Sequence, residues 1–358
     1  MNSHVAVVTH RGRRPYNQDT PLTAAIDTAQ GALHLLVVLD GMGGMRAGDR
    51  ASQLAGQVFV AELREQLKDA EPEDFILREA IEAAAHKAHD DVYNEGQAEP
   101  EKHGMGTTLV AALFKNDRFV VGNVGDSRAY LYDPNDRSLM RLTRDHSLRE
   151  EAVRVGALSE EEAARSPLSH ALTRSVGSGP KPEVDLFPEP EGWYQLPPGG
   201  LLMLCSDGLN NGADDDRLRE LIEGSENPAT AAEHLMRAGY HGGSRDNITV
   251  IVKAHPDYRK TQPLDNVPPP IEEAQNDLPI TDVKIGHTKI DKPVRSPWGL
   301  ATLIMILSAL IILFFLFYMV GVRPMLGLLE PESADALAQA GEGLPALLAS
   351  WIRLLPLA

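Results

Sequence analysis

An α+β fold built largely from antiparallel sheets is the class this 358-residue sequence predicts. Short runs rich in Val, Leu and Thr come first, then two long amphipathic stretches, a meander of further strands, two shorter helical stretches and a last strand. Strands grouped with strands and helices with helices argue against alternating βαβ units. Two stacked sheets with helices packed outside them suit that order. The runs also end in a repeated way: several close on an aspartate set beside glycine or small polar residues.

The strands are expected at 5–10, 33–39, 107–114, 118–124, 128–132, 139–143, 201–206 and 247–252. Each is short and β-prone, and turn residues such as Asn116-Asp117 and Asp133-Pro134-Asn135 separate neighbours. A helix is expected over 46–67, where Ala55, Phe59, Leu63 and Leu67 step by four. A second is expected over 73–93, where Leu77, Ile81, Ala84, Ala88 and Val92 form one apolar stripe. Two more fit 214–223 and 228–238. The sequence shows no internal repeat.

Composition narrows the function. A formal charge of −17 argues against a nucleic-acid surface, because phosphate backbones need clustered Lys and Arg. The single cysteine, Cys205, excludes an intramolecular disulfide and a multi-cysteine zinc site, and its apolar strand marks it as a small buried residue. No export signal is expected near the N-terminus, since Arg11, Arg13 and Arg14 interrupt any apolar run. Residues 1–254 read as one folded domain and 255–297, with Pro268-Pro269-Pro270, as a flexible linker. From Gly299 to Val322 no residue is charged, so 298–322 is expected to form one transmembrane helix, followed by a short tail at 323–358. Lys284, Lys289, Lys292 and Arg295 precede that span and only Arg323 follows it closely. The positive-inside bias therefore predicts a single-pass protein of the inner (plasma) membrane with its domain in the cytoplasm.

The aspartates carry the chemistry. Asp40 closes Leu35–Leu39 and opens Asp40-Gly41-Met42-Gly43-Gly44; Asp126 follows Gly125; Asp207 follows Ser206; Asp246 precedes Asn247 and the final strand. Carboxylates gathered at strand ends repel one another unless cations lie between them, and hard divalent ions prefer oxygen ligands. A metal site is the leading reading, with the Gly41 carbonyl as a further ligand. Two such ions can acidify a shared water and clamp an in-line displacement at phosphorus.

Seven motifs now stand in order: Arg14-Pro15-Tyr16-Asn17-Gln18-Asp19, Asp40 to Gly44, Gly104-Met105-Gly106-Thr107-Thr108, Gly125-Asp126-Ser127-Arg128, Leu142-Thr143-Arg144-Asp145-His146-Ser147, Ser206-Asp207-Gly208 and Ser244-Arg245-Asp246-Asn247. Together they resemble the metal-dependent serine/threonine protein phosphatases of the 2C type, in their bacterial form, over about residues 5–254. The resemblance implies a four-layer α-β-β-α sandwich of two antiparallel sheets flanked by helices. It implies that Asp40 bridges two Mn²⁺ or Mg²⁺ ions, that Gly41 binds one through its carbonyl, and that Asp207 and Asp246 hold the other. Asp126, with Asp207, would serve a third ion. Arg14 would bind the phosphoryl oxygens, and Asp19 would orient water at the metals. The implied partners are proteins phosphorylated on serine or threonine, together with a cognate serine/threonine kinase.

Two positions depart from the family. Gln18 stands where many members have glutamate, and Met42 where many eukaryotic members have histidine. Residues 147–177 correspond to a mobile flap that would guide substrate choice. His86 and His89, at helical spacing beside Asp90, are read as solvated rather than as ligands. The rival function is a non-catalytic, phosphoprotein-binding membrane regulator on the same fold, and a phosphatase for small molecules also fits the motifs.

Overall fold

A computed structural model describes residues 4–44, 47–159, 162–163 and 171–271. All of them belong to the first of two compact units, residues 1–288. The first sheet takes strands in the order β1 (Val5–His10), β12 (Ile248–Ala254), β11 (Leu201–Cys205), β7 (Arg128–Asp133) and β8 (Ser138–Arg141). The second runs β10 (Tyr194–Gln195), β6 (Arg118–Val124), β5 (Leu109–Lys115), β3 (Gly31–Met42) and β2 (Asp19–Thr28), with β9 (Asp185–Phe187) also on β6 and β4 (Gly106–Thr107) on β3. Every pairing is antiparallel.

Period-two alternation explains why the central strands read as continuous apolar runs. On β3, Leu33, Leu35, Val37 and Leu39 pack with helices α1 (Ala47–Leu67) and α2 (Asp74–Ala98), while Leu36 and Val38 point to the opposite sheet. On β11, Leu201, Met203 and Cys205 face the second helical layer, and Leu202 and Leu204 face the other sheet. Both faces of each sheet are thus dry, which makes three cores and four layers, the sandwich the family implied. After the short α3 (Leu148–Arg154) and α4 (Asp207–Asn210), the second helical layer is α5 (Asp215–Glu223) and α6 (Pro228–His241).

Beyond the short β9, β10, α3 and α4, which were not expected, three elements differ from the expectation. β2 is absent from the sequence reading because Pro21 and a weak alternation obscure it; Pro21 is tolerated because β2 is the sheet's edge. The expected strand over 107–114 is two strands, broken at Thr108. α2 runs five residues past Tyr93, and Glu95 in that added turn is gripped by Arg50 at 2.6 Å and Lys102 at 2.7 Å.

The start of the stretch read as a linker is packed. The Tyr258 hydroxyl donates to the Ile222 carbonyl at 2.5 Å, Thr261 N donates to Glu223 O at 2.9 Å, and Leu264 and Ile271 lie against the α5–α6 core. Its apolar anchors are too irregularly spaced to show as a pattern. Among the described residues no helix is long and apolar enough to cross a membrane. The expected span at 298–322 and the tail lie outside the described residues.

Candidate active site

The strand ends meet at one edge of the sandwich, around a cleft of about 610 Å³. Arg14, Asp40, Gly41, Asp126, Asp207 and Asp246 all line it, and Gln18 and Met42 join them. Asp19 lies beneath, 8% exposed, directly across the β2–β3 ladder from Asp40.

Asp40 owes its position to the break at Thr108. The Thr108 hydroxyl oxygen accepts from Asp40 N at 2.9 Å, Thr108 N donates to Asp40 O at 2.9 Å, and the Thr107 hydroxyl donates to the same carbonyl at 2.9 Å. Thr108 Oγ1 also lies 2.7 Å from Ser127 Oγ, which ties the Asp126 turn to Asp40. Gly41 must be glycine: a Cβ there would stand 2.1 Å from the Gly48 carbonyl oxygen and 2.7 Å from that of Gln18.

The Asp126 turn hangs on Gly125, whose φ of +108° suits glycine. Gly125 N donates to His146 Nδ1 at 3.0 Å, and His146 N donates back to Gly125 O at 3.0 Å. His146 Nε2 lies 3.1 Å from Asp185 Oδ2. Because Nδ1 accepts, the ring proton sits on Nε2 and is given to Asp185. Beside this turn Arg128 grips Asp145 at 2.6 Å and Arg141 grips it at 2.7 Å, a partly buried ion cluster outside the cleft.

Asp207 opens α4 behind Ser206, and its Oδ2 accepts from Asn211 Nδ2 at 3.0 Å. Asp246 Oδ2 accepts from Arg14 Nη2 at 2.7 Å, and Arg14 Nε donates to Arg245 O at 3.2 Å. Asn247 fixes the Arg14 loop. Its amide donates to the carbonyls of Arg11 and Tyr16, both at 2.8 Å, and its carbonyl oxygen accepts from Gln18 N at 2.8 Å. Thr108, Ser127, His146, Ser206 and Asn247 were not singled out from sequence, although each sits inside a quoted motif.

The charges show what the cleft lacks. Asp40 is pushed well above the carboxylate range by burial first, then by Asp19, Asp207, Asp126 and Asp246. Asp126 rises through burial, then through Asp207 and Asp145. Asp19 is pushed up to about 7 by burial, against the lowering effect of the Thr249 and Ser206 hydroxyls, with Asp207 and Asp246 raising it further. Its Oδ2 accepts from Ser206 Oγ at 2.8 Å, whereas its buried Oδ1 has no hydrogen-bond partner among the described residues. Oxygen donors crowded until they resist ionising are the donor set that hard divalent cations satisfy. Among the described residues no three His, Cys, Asp or Glu side chains already converge on one point. Asp246 is turned onto the Arg14 guanidinium and Asp207 onto Asn211, cationic and amide donors serving where an ion would compete. The residues therefore fit a metal centre.

His86 and His89 have a structural task. His86 Nε2 lies 2.9 Å from Pro182 O and His89 Nδ1 accepts from Gly177 N at 3.0 Å, so α2 latches the chain that returns from the flap region. That region meets the site at Leu172, which lines the cleft, and at Val176, whose backbone pairs with Thr107 through two bonds of 2.9 Å.

Comparison with known proteins identifies the family. Residues 8–238 match the protein phosphatase 2C family. The chain is 34% identical over 252 residues to the serine/threonine phosphatase stp of Listeria monocytogenes, covering 70% of this chain and 94% of that one. It is 33% identical over 241 residues to the serine/threonine protein phosphatase PstP of Mycobacterium tuberculosis, covering 66% of this chain and 44% of that one. Among solved structures, the serine/threonine phosphatase of S. agalactiae superposes with a TM-score of 0.61 at 31% identity, covering 69% of this chain and 97% of that one. The catalytic domain of PstP in complex with two manganese ions superposes with a TM-score of 0.55 at 30% identity, covering 69% and 96%.

Proposed function

The chain belongs to the protein phosphatase 2C family and is a metal-dependent protein serine/threonine phosphatase, and from that premise we propose how its own residues divide the work. Asp40, the Gly41 carbonyl, Asp207 and Asp246 would hold two ions, Mn²⁺ or Mg²⁺, with Asp40 shared between them, and Asp126 with Asp207 would serve a third. The observation that carries this reading is the convergence of Asp40, Asp126, Asp207, Asp246 and Arg14 on one cleft. When bound, the ions supply an acidified water as nucleophile and offset charge on the phosphoryl group.

Arg14 binds the phosphoryl oxygens. Its guanidinium is half exposed and engages Asp246 through a single short contact, which would leave its planar fork free for a phosphate were Asp246 committed to a metal. Asp19 offers a buried acceptor oxygen at the cleft floor that orients water. Met42 has no proton to give, so the leaving alkoxide takes its proton from water. Among the described residues neither Cys nor His lines the cleft, and burial pushes the Cys205 thiol up to about 12. The single cysteine is thus no nucleophile at the cleft, and thiol reagents should spare activity.

The apolar run at 299–322 and its basic N-terminal flank support tethering to the inner (plasma) membrane with the catalytic domain on the cytoplasmic side. A phosphatase held there would oppose a serine/threonine kinase acting on the same phosphoproteins. No observation favours the non-catalytic alternative. Phosphate release from a phosphothreonine peptide, with Mn²⁺ and with chelator, tests the chemistry; release that needs no metal, or that survives Asp207→Asn undiminished, would overturn it. Recovery of the full chain in the salt-washed soluble fraction would overturn the tether.

A further inference from the structure

The cleft's mouth carries cations that the chemistry described above leaves unused. Arg245 lines the cleft and is exposed, and its side chain has no carboxylate within salt-bridge distance among the described residues. Arg13 is exposed beside Arg14, and its guanidinium lies 5.5 Å from the centre of the Tyr240 ring rather than against an acid. Stacking on an aromatic face holds an arginine in place while leaving its N–H groups available to a ligand. The two segments are joined at this rim, since Arg14 Nε donates to the Arg245 carbonyl.

Charge makes this placement informative. The whole chain carries −17, so its far field repels anionic phosphoproteins. Four carboxylates line the cleft, and two divalent ions would cancel them, which leaves its sign to Arg14 and Arg245. The substrate phosphate takes Arg14. Arg245 then faces whatever flanks the phosphoresidue, and Arg13 is the next exposed cation, in the adjoining Arg14 loop. An unneutralised guanidinium at that point favours an anion, and its short range in salt confines the preference to neighbouring substrate residues.

We propose that Arg13 and Arg245 select phosphopeptides that carry a second negative charge next to the phosphoresidue, an inference that rests on the phosphatase reading of the cleft. The second charge can be an aspartate or glutamate, or a second phosphate; both present oxygens to the same guanidinium forks.

The test uses the full chain with Mn²⁺ and peptides sharing one phosphothreonine core, flanked by Ala, by Asp/Glu, by Lys, or by a second phosphothreonine. At low salt, kcat/KM for the Asp/Glu peptide should exceed that for the Ala peptide by about 1.5- to fivefold, the range exposed charge pairs give. The ratio should fall toward one in Arg13→Ala/Arg245→Ala, persist in Arg245→Lys, and invert in favour of the Lys peptide in Arg245→Glu. The doubly phosphorylated peptide separates the two anion sources, because a preference for it alone assigns the rim to phosphate. Thermal melts matching the native protein confirm that the variants fold. Equal ratios in the native protein and the variants would overturn the inference, as would a defect confined to binding of phosphatidylglycerol vesicles. Absence of hydrolysis of every peptide would instead remove the phosphatase reading beneath it.

Discussion

Asp19→Asn should make the metal-free protein more stable at neutral pH, although it removes a group from beneath the active cleft. In the fold Asp19 is buried, and burial raises its carboxyl from the ordinary 3.8 to about 7, with Thr249 and Ser206 opposing and Asp207 and Asp246 reinforcing the rise. The folded state then holds this proton more tightly than the unfolded chain does. Its contribution to stability is complete below pH ~4 and is lost as pH rises toward about 7. Between pH 5 and 8 the loss is about 2–3 kcal/mol, at 1.36 kcal/mol per pKa unit. For a domain of this size that corresponds to about 5–10 °C in Tm. Other groups act in the same window. Burial lowers His34, His89 and His234, so these stabilise as pH rises. Asp40 is itself raised in part by Asp19, so the difference between native protein and Asp19→Asn reads the Asp19 carboxyl together with its push on Asp40. Melts in chelator across pH 5–8 should show the two curves diverging by that amount, and saturating Mn²⁺ should flatten the native slope because bound cations favour the ionised carboxylates. Parallel curves in chelator would refute the reasoning.

Three further outcomes follow from the same geometry. Asp40→Asn should lower kcat by at least about a hundredfold and abolish the Mn²⁺-induced rise in Tm, since it removes the carboxylate proposed to bridge the metals; a retained rise would place the metal elsewhere. Gly41→Ala should destabilise the domain by about 3 kcal/mol or more, because its Cβ would meet the Gly48 carbonyl oxygen at 2.1 Å and backbone must move; urea melts read this directly, and an unchanged midpoint would contradict it. Glu95 is held down at about 2, first by its bond to Arg50 and then, against desolvation, by Lys102, so it stabilises above pH 4.5 and that contribution is lost as pH falls toward 2. Discounted for partial exposure, Glu95→Gln should cost about 1 kcal/mol at pH 7 and nothing measurable at pH 2; an equal cost at both would remove the ion pair from the account.

The layers were legible in the sequence because the central strands bury both faces, and Leu33–Leu39 or Leu201–Cys205 can belong only to a strand with dry neighbours on two sides. The cleft aspartates were legible because Asp40, Asp126 and Asp207 each close such a run and Asp246 stands just before the last one. The edge strand β2 was not, since an edge tolerates Pro21 and needs no continuous apolar pattern. The turn that breaks 107–114 at Thr108 was equally hidden: its cause is the Asp40 backbone, which comes from a distant segment and is met only in three dimensions. His146 illustrates the same limit. Its reciprocal bonds to Gly125 join residues twenty-one positions apart, and nothing in local spacing announces them. Asp19 could be assigned a supporting part, but its place across the ladder from Asp40 needed the register of a strand that was itself missed.

The most direct test of the central claim is an anomalous-scattering map from crystals soaked in Mn²⁺. The account predicts two adjacent peaks in the cleft, bridged by Asp40, one touching the Gly41 carbonyl and the other Asp207 and Asp246, with Arg14 displaced from Asp246. A cleft without manganese under saturating conditions, or Arg14 still bound to Asp246 beside a single remote peak, would contradict it.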